Sequence, residues 1–215
     1  MKLSRYEITA GVIFLASLAL AVYVYPLLPE TVASHWNAAG EVNGYMSAFW
    51  GAFIMPIVAG VILIIFMIIP RVDPHKENIE KFQPVFGRFI VLMMLFLLYL
   101  YGLTLWWNFG GRPNMSQFLA PAFAVLFYYV GVLVGAAKMN YTIGIRTPWT
   151  LHNEVVWQKT HRLGGKLFRA SGVIALFGFF FPALAVWLML IPVLGTSIFT
   201  VVYSYLEFRR QTRKK

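Results

Sequence analysis

The chain has 215 residues, of which 60% are hydrophobic and only 12% are charged, and its mean hydropathy is +0.70. Soluble domains usually carry about 25% charged residues and bury only about two-thirds of their surface, so this composition excludes a water-soluble domain and predicts a polytopic membrane protein. The net charge of +10 indicates basic loops held against anionic lipid rather than direct binding of nucleic acid, and the absence of cysteine excludes disulfides and thiolate chemistry.

Six apolar segments of the chain are candidates to cross a bilayer, which takes about 20 mostly apolar residues. The last apolar block, residues 167–208, is too long for one span, and Pro182 is expected to divide it into a short fifth segment and a sixth. We therefore predict an all-α fold that forms a single integral membrane domain over residues 1–215. The predicted helices are residues 8–28, 47–69, 86–107, 116–137, 167–181 and 183–206.

The basic residues predict the orientation of these six helices. With the N-terminus inside, all but one of the 18 lysine and arginine residues lie on the inner side, and Arg112 alone lies outside. Lysine and arginine concentrate on the cytoplasmic side of membrane proteins. The sequence thus predicts a multi-pass plasma-membrane protein with both termini in the cytoplasm, an outer loop at residues 29–46 and a cytoplasmic loop at residues 138–166.

The outer loop is acidic and rich in turn-forming residues. Its stretch TVASHW, residues 31–36, is compatible either with a short strand or with one turn of helix. Acidic residues on this side attract a cationic peptide, and we interpret the segment as an extracellular recognition loop for a peptide or a lipid. The candidate recognition residues are Pro29, His35, Trp36, Asn37, Gly40, Glu41 and Gly44.

The loop between the second and third helices, residues 71–84, is interpreted as a solvated connector. In it Asp73 precedes Pro74, a pair that is typical of a helix N-cap followed by the first helical residue. This pattern predicts that Asp73 acts locally, on a short helix that follows it.

The cytoplasmic loop begins with the alternating stretch NYTIGIR, residues 140–146, which favours an extended segment or a turn. Gly144 is free to take a positive φ there. Thr147 before Pro148 predicts the start of a helix.

That helix is expected to run to about Leu163 and to be ended by Gly164 and Gly165. Its apolar residues recur at a spacing of seven, and basic residues surround them. This pattern is typical of an amphipathic helix that lies in the membrane interface. The apolar stripe consists of Trp149, Val156 and Leu163.

Two histidines in this loop invite a metal site, but their spacing argues against one. His152 and His161 are nine residues apart and point to opposite faces of a helix, because each residue turns about 100°. Asn153, Trp157 and His161 share one face, so we expect a His–Trp pair packed onto the bundle, with Arg162 reaching lipid phosphate. The sequence also lacks a phosphate-cradling loop, a nucleophile motif and a dinucleotide fingerprint, so we expect no metal, no cofactor and no enzymatic activity.

Two stretches resemble one known family. They are LPETVASHWNAAGEVNGY, residues 28–45, and IGIRTPWTLHNEVVWQKTHRLGGKLF, residues 143–168. The first is similar to the N-terminal module, and the second to the cytoplasmic signature, of SdpI-type bacterial immunity proteins. The resemblance implies an integral plasma-membrane protein that protects a producing cell against a secreted toxic peptide. In one branch of the family it also implies recruitment of a small cytoplasmic repressor to the membrane.

With this resemblance as the deciding consideration, the cytoplasmic signature is interpreted as a surface that binds a partner protein. The candidate partner-binding residues are Gly144, Arg146, Thr147, Pro148, Trp149, Trp157, His161 and Arg162.

Two other functions stay open at the level of sequence. A small transporter or lipid-handling protein would need a continuous cavity lined by polar residues of the spans, although the scarcity of ionisable residues at membrane depth argues against ion-coupled transport. A membrane enzyme would need His35 to act with Glu30 or Glu41. The transporter cavity would be lined by Thr104, Asn108, Tyr128 and Tyr129.

Overall fold

Residues 3–213, the part of the chain that this computed structural model describes, form eight α-helices and one β-hairpin. The hairpin interrupts the helices early in the chain. In order, the elements are α1 (Arg5–Val24), β1 (Thr31–Trp36), β2 (Val42–Ser47), α2 (Ala48–Val72), α3 (Lys76–Glu80), α4 (Gln83–Trp106), α5 (Met115–Ala136), α6 (Pro148–His152), α7 (Glu154–Leu176) and α8 (Ala185–Thr212).

Five of these helices, with their short flanking turns, are long and apolar enough to cross a membrane. They correspond to the first four predicted helices and the sixth. The fold is therefore that of a mostly helical, multi-pass membrane protein. The five candidate spans are Arg5–Leu27, Ala48–Val72, Gln83–Gly111, Met115–Ala136 and Pro182–Thr212.

The prediction that the interfacial helix and the short fifth span are two separate elements is wrong. The chain forms the single turn of α6, breaks at Asn153, and then continues as one helix, α7, to Leu176. Asn153 has extended φ and ψ angles of −142° and 117°, and its side chain caps α7 by accepting from the backbone N–H groups of Val155 and Val156. This break also separates Trp149 from the rest of the predicted apolar stripe.

Gly164 and Gly165 lie inside α7 instead of ending it, because both serve close packing: Gly165 against α5, and Gly164 against Ile145 and Thr200 of α8. A Cβ atom at Gly165 would lie 2.8 Å from the carbonyl oxygen of Gly131 and 3.0 Å from the Cα atom of Gly135. Only glycine lets the two backbones approach so closely, which is the packing that small residues allow between membrane helices.

Helices α5 and α7 lie antiparallel from one end of the bundle to the other. At one end the indole N–H of Trp157 donates to the carbonyl of Ala137, and at the other the Gln117 side-chain amide donates to the carbonyl of Phe179, both at 2.9 Å. We call the first end the loop end, because residues 137–147 and α6 lie there, and the second the hairpin end.

The β-hairpin resolves the choice left open for residues 31–36 in favour of a strand. β1 pairs antiparallel with β2, with an irregularity at His35. The side chain of Asn108, just past α4, accepts from the N–H of Ala33 at 2.8 Å and donates to its carbonyl at 3.0 Å. This pair of hydrogen bonds fixes β1 onto the end of the helical bundle.

Candidate functional site

The loop end is held together by a buried carboxylate, that of Asp73. Its side chain accepts from the backbone N–H and hydroxyl of residues in the next loop, Tyr141 N–H at 3.0 Å and Thr142 Oγ1 at 2.6 Å. Its other oxygen accepts from the N–H of His75 at 2.7 Å. Asp73 is 3% exposed, and α3 begins only at Lys76. The predicted N-cap role is therefore wrong, and Asp73 connects two loops instead.

Asn140 folds the start of the signature segment into a compact turn. Its side-chain oxygen accepts from the N–H groups of Thr142 and Ile143, at 2.9 and 2.6 Å. Its amide donates to the carbonyls of Lys138 and Ile143, at 2.7 and 3.0 Å. Asn140 is fully buried, and these hydrogen bonds satisfy its side-chain oxygen and its amide nitrogen within the protein.

Gly144 takes a positive φ of 118°, as predicted, and it lies directly against His161. A Cβ atom at this position would collide with the Nε2 atom of His161. Nε2 accepts a hydrogen bond from the N–H of Ile145 at 3.0 Å, so Nδ1 carries the proton and donates to the carbonyl of Trp157 at 2.9 Å. This neutral tautomer fastens the turn at Gly144 to α7.

Trp157 and His161 stack on each other with ring centroids 3.8 Å apart. They are only 1% and 2% exposed, so a partner protein cannot touch them directly, and they support the surface instead of forming it. Burial also lowers the pKa of His161 to about 4. His161 lies in the polar first half of α7, outside the five candidate spans.

We expect the protein to lose stability in mild acid because of His161. Its pKa is about 4 in the folded protein and about 6.5 in an unfolded chain, so the unfolded state binds the proton first. The stabilisation is therefore complete above pH 6.5 and is lost as the pH falls from 6.5 to 4. From pH 7.5 to pH 5 the free energy of unfolding should fall by about 2 kcal/mol, measured by thermal unfolding in detergent.

The H161Q variant isolates this effect from the other titrating groups. It should be less stable than the parent protein at neutral pH but should lack the histidine-dependent loss between pH 7.5 and pH 5. Equal pH dependence of the variant and the parent would contradict the assignment.

The predicted helix start at Thr147 and Pro148 is confirmed, and it docks α6 onto α8. The hydroxyls of Thr147 and Thr150 form a reciprocal capping box. Thr147 Oγ1 also lies 3.0 Å from the hydroxyl of Ser204 in α8, and the ring of Trp149 packs 5.0 Å from that of Tyr205. Thr147 is buried by these contacts.

The accessible part of the signature is therefore a small patch, which we call the α6 surface. Arg146 and Pro148 are exposed and Trp149 is half-buried. Arg146 donates to the carbonyl of Tyr141 at 2.8 Å, which orients its side chain. The exposed Arg209 of α8 has its guanidinium 5.8 Å from the ring of Tyr205, the ring against which Trp149 packs. The α6 surface consists of Arg146, Pro148, Trp149 and Arg209.

The hairpin end contains a cleft of about 460 Å³, which we call the hairpin-end cleft. Three of the predicted recognition residues, His35, Trp36 and Asn37, contribute to its wall. The floor is mostly apolar and comes from α5 and α8. The complete lining is Ser34, His35, Trp36, Asn37, Ala38, Met115, Ser116, Leu119 and Val186.

Several of the predicted recognition residues, Asn37 among them, shape the hairpin. The side-chain oxygen of Asn37 accepts from the N–H groups of Ala39 and Glu41, at 2.9 and 3.0 Å. Gly40 closes this turn with a φ of 82°. Gly44 faces His35 so closely that a Cβ atom would lie 2.9 Å from that of His35. Pro29 is exposed in the connection between α1 and β1.

An aromatic stack beside the cleft was missed by sequence reasoning. Trp36 packs against Trp107 at 5.6 Å in an edge-on geometry. The guanidinium of Arg112 lies 3.6 Å from the centroid of the Trp107 ring, which is a cation–π contact. The signal available in the sequence was that Arg112 is the single basic residue on the predicted outer side, but its aromatic partner could not be read from spacing.

The side chains proposed for an enzyme are engaged elsewhere. His35 Nδ1 lies 2.5 Å from the side-chain oxygen of Asn43, and Glu41 accepts from the Asn37 amide at 3.0 Å. Within residues 3–213 there is no group of three or more histidine, aspartate or glutamate side chains placed to hold a metal ion.

The side chains proposed to line a transport cavity do not converge. Thr104 donates to the carbonyl of Leu100 at 3.0 Å, and Tyr129 donates to that of Val85 at 3.2 Å. Asn108 holds the hairpin. Tyr128 is 46% exposed on the outside of the bundle.

The fold and its two ends define a multi-pass helical membrane protein with a β-hairpin at one end and a compact signature turn at the other. Comparison with known proteins agrees with this class. The model of the SdpI/YfhL protein family matches residues 136–204, and that of a domain of unknown function, DUF1648, matches residues 12–60. The resemblance to the SdpI family that the two sequence stretches predicted is thereby confirmed.

One curated relative matches along almost its whole length. The chain is 25% identical over 207 residues to the Immunity protein SdpI of Bacillus subtilis (strain 168), which covers 96% of this chain and 97% of the relative. No solved structure matches the chain.

Proposed function

We propose that this chain is an integral membrane immunity protein that protects a cell against a secreted toxic peptide. The observation that carries the proposal is the match to a protein named Immunity protein SdpI over 96% of the chain. That match spans both the hairpin end and the loop end of this chain.

In the proposed orientation the loop end faces the cytoplasm. All described lysine and arginine residues except Arg112 lie towards that end or on α7, and Arg112 lies at the hairpin end. Basic residues accumulate on the cytoplasmic side. With the apolar second half of α7 counted as a crossing segment, the chain crosses six times, which puts both ends of the described chain on the cytoplasmic side.

The hairpin-end cleft is the proposed site of toxin recognition. Its apolar floor, which includes Met115, Leu119 and Val186, suits apolar side chains of a peptide. The exposed carboxylates of Glu30 and Glu41 add negative charge nearby. Such charge raises the rate at which a cationic peptide arrives.

The α6 surface is the proposed site at which a cytoplasmic regulator docks. Its arginine and tryptophan residues are the types that dominate the energetics of protein interfaces. Asp73, Asn140 and His161 hold the underlying turn rigid, and a rigid surface loses little conformational entropy on binding.

Protection is tested by expressing the chain in a host that is sensitive to the toxic peptide. Cells that carry the protein in their membranes should survive doses that kill cells with an empty vector. Unchanged killing at verified membrane levels would refute protection against that peptide.

Regulator docking is tested separately with the double variant Arg146→Ala and Trp149→Ala. Removing two interface anchors should reduce recruitment of a cytoplasmic regulator to the membrane at least 100-fold, because each anchor contributes about 2 kcal/mol. Recruitment is measured by the membrane fraction of a fluorescently tagged regulator. The control pair Lys76→Ala and Trp187→Ala removes an exposed cation and an exposed tryptophan that lie outside the α6 surface.

The control pair should recruit normally, and both pairs should insert normally. Recruitment that survives in the Arg146 and Trp149 pair would refute the docking site while leaving the proposed protection untouched.

A further inference from the structure

A second cleft, of about 480 Å³, opens at the loop end between α3, α5 and α7. Three exposed cations from three different elements converge on it: Lys81 follows α3, Lys138 follows α5, and Arg162 lies on α7. Trp157 and His161 lie at its inner wall. We call it the basic cleft.

The charges of the basic cleft are not neutralised within the described part of the chain. The ion pairs among residues 3–213 are Glu7 with Arg71 and Lys159 with Glu207, and neither involves the cleft. Lys81 donates to the neutral side-chain oxygen of Asn78 at 2.7 Å. Glu154 is the single acid in the lining, and its carboxylate accepts from Gln158 at 3.3 Å. A concave site with three cations and one acid attracts an anion.

The cleft lies at the level where a membrane span ends. α5 ends at Ala136, and the Trp157 indole in the cleft wall donates to the carbonyl of the next residue, Ala137. This is the depth of lipid headgroups if α5 crosses the bilayer, because a 22-residue helix is about as long as the hydrocarbon core is thick.

Two further cations continue the line of the cleft along α7 towards the hairpin end. Lys166 and Arg169 follow Arg162 at i+4 and i+7, and so lie on the same face of the helix. Arg169 passes directly over Gly131 of α5 and donates to the carbonyl of Gly165 at 3.0 Å. A soluble protein cannot reach cations beside a membrane span, whereas long basic side chains at that depth extend to lipid phosphates.

We propose that the basic cleft binds the phosphate headgroup of an anionic phospholipid. Lys138 and Arg162, which both line the cleft, hold the phosphate, and Lys81 adds a third positive charge. Lys166 and Arg169 extend the positive charge along the outer face of α7, where the rest of the lipid lies. This site is separate from the α6 surface and does not depend on the proposed immunity function.

The test compares lipid retention by the purified full chain in nanodiscs that contain phosphatidylglycerol and phosphatidylcholine. Native mass spectrometry should show phosphatidylglycerol retained in preference to phosphatidylcholine. The variant pair Lys138→Gln and Arg162→Gln should lower that preference about tenfold or more, because each cation near a membrane surface contributes severalfold. The matched control pair, Lys76→Gln and Arg210→Gln, removes one lysine and one arginine that do not line the cleft and should keep the preference.

The remaining outcomes overturn the proposal. Absence of a preference in the unmodified chain, or equal loss in the two pairs, would show that no specific site exists. Inorganic phosphate is also added to the protein in phosphatidylcholine nanodiscs. If it stabilises the protein as much as phosphatidylglycerol does, the cleft binds a soluble anion and not a lipid. An acidic peptide, such as polyglutamate, that displaces the lipid at lower concentration than phosphate would assign it to a protein partner. If the double variant does not fold, Lys138→Gln alone carries the same comparison.

Discussion

Replacement of Gly165 by valine is expected to separate α5 from α7 and to prevent the bundle from forming its native packing. The atoms that a side chain would meet there are the backbone atoms of Gly131 and Gly135, at 2.8 to 3.0 Å, which cannot rotate away. Overpacking of a core that can relax costs about 1–3 kcal/mol. This contact cannot relax, so we expect a loss of about 3 kcal/mol or more in the free energy of unfolding, measured by thermal unfolding and by trypsin resistance in detergent.

The control for this substitution is Gly102→Val in α4. Gly102 is also a glycine inside a helix, but it is exposed, and a Cβ atom there meets nothing within 4 Å. The Gly102→Val variant should have nearly the same unfolding midpoint as the parent protein. The difference between the two variants then reports packing and not the general effect of valine in a helix. Equal stability of the two variants would show that α5 and α7 are not packed backbone to backbone.

Replacement of Asp73 by alanine is expected to release the signature turn. Three donors lose their acceptor at once: the N–H groups of His75 and Tyr141 and the hydroxyl of Thr142. Hydrogen bonds to a charged group contribute about 1.5–3 kcal/mol each, and stranded buried donors cost more, so we expect a loss of about 3 kcal/mol or more. The loop at residues 137–147 should also exchange its amide hydrogens faster, which hydrogen-exchange mass spectrometry measures.

The exposed acid Glu77, four residues further along the chain in α3, supplies the control. Glu77→Ala removes the same charge and should change neither stability nor amide exchange at residues 137–147. If Asp73→Ala behaved like Glu77→Ala, the buried carboxylate would have no part in fixing the turn.

Local chemistry was enough to predict several features of the fold. The length of the apolar segments was enough to locate the five candidate spans. The Thr147–Pro148 pair marked a helix start, and glycine at position 144 indicated a positive φ. Helical spacing also placed Trp157 and His161 on one face, where their rings do stack. Each of these rests on residues that are neighbours in the chain.

The features that sequence reasoning missed depend on residues distant in the chain. Gly165 resembles a helix end until Gly131 of α5 is brought against it. Asp73 resembles an N-cap until the loop at Tyr141 reaches it. The sequence analysis also divided α7 into two predicted elements, because the first half of this helix is polar. In the structure, close packing against α5 fixes the position of that half.

The predicted partner-binding residues also divide into those whose role follows from local sequence and those whose role depends on distant contacts. These eight residues were grouped by a shared motif, but the motif serves two purposes in the structure. Gly144, Thr147, Trp157 and His161 build the turn from within. Arg146, Pro148 and Trp149 form the accessible α6 surface, and Arg162 lines the basic cleft instead.

The central claim is that the hairpin-end cleft receives the toxic peptide, and survival of toxin-challenged cells tests it most directly. Val186→Trp fills the cleft from α8, whereas Ile191→Trp places the same bulk on the 63% exposed outer face of that helix. At matched membrane levels, cells with the Ile191 variant should survive as well as cells with the unmodified protein, and cells with the Val186 variant should die at the dose that kills cells with an empty vector. Full survival of cells with the Val186 variant would contradict the claim.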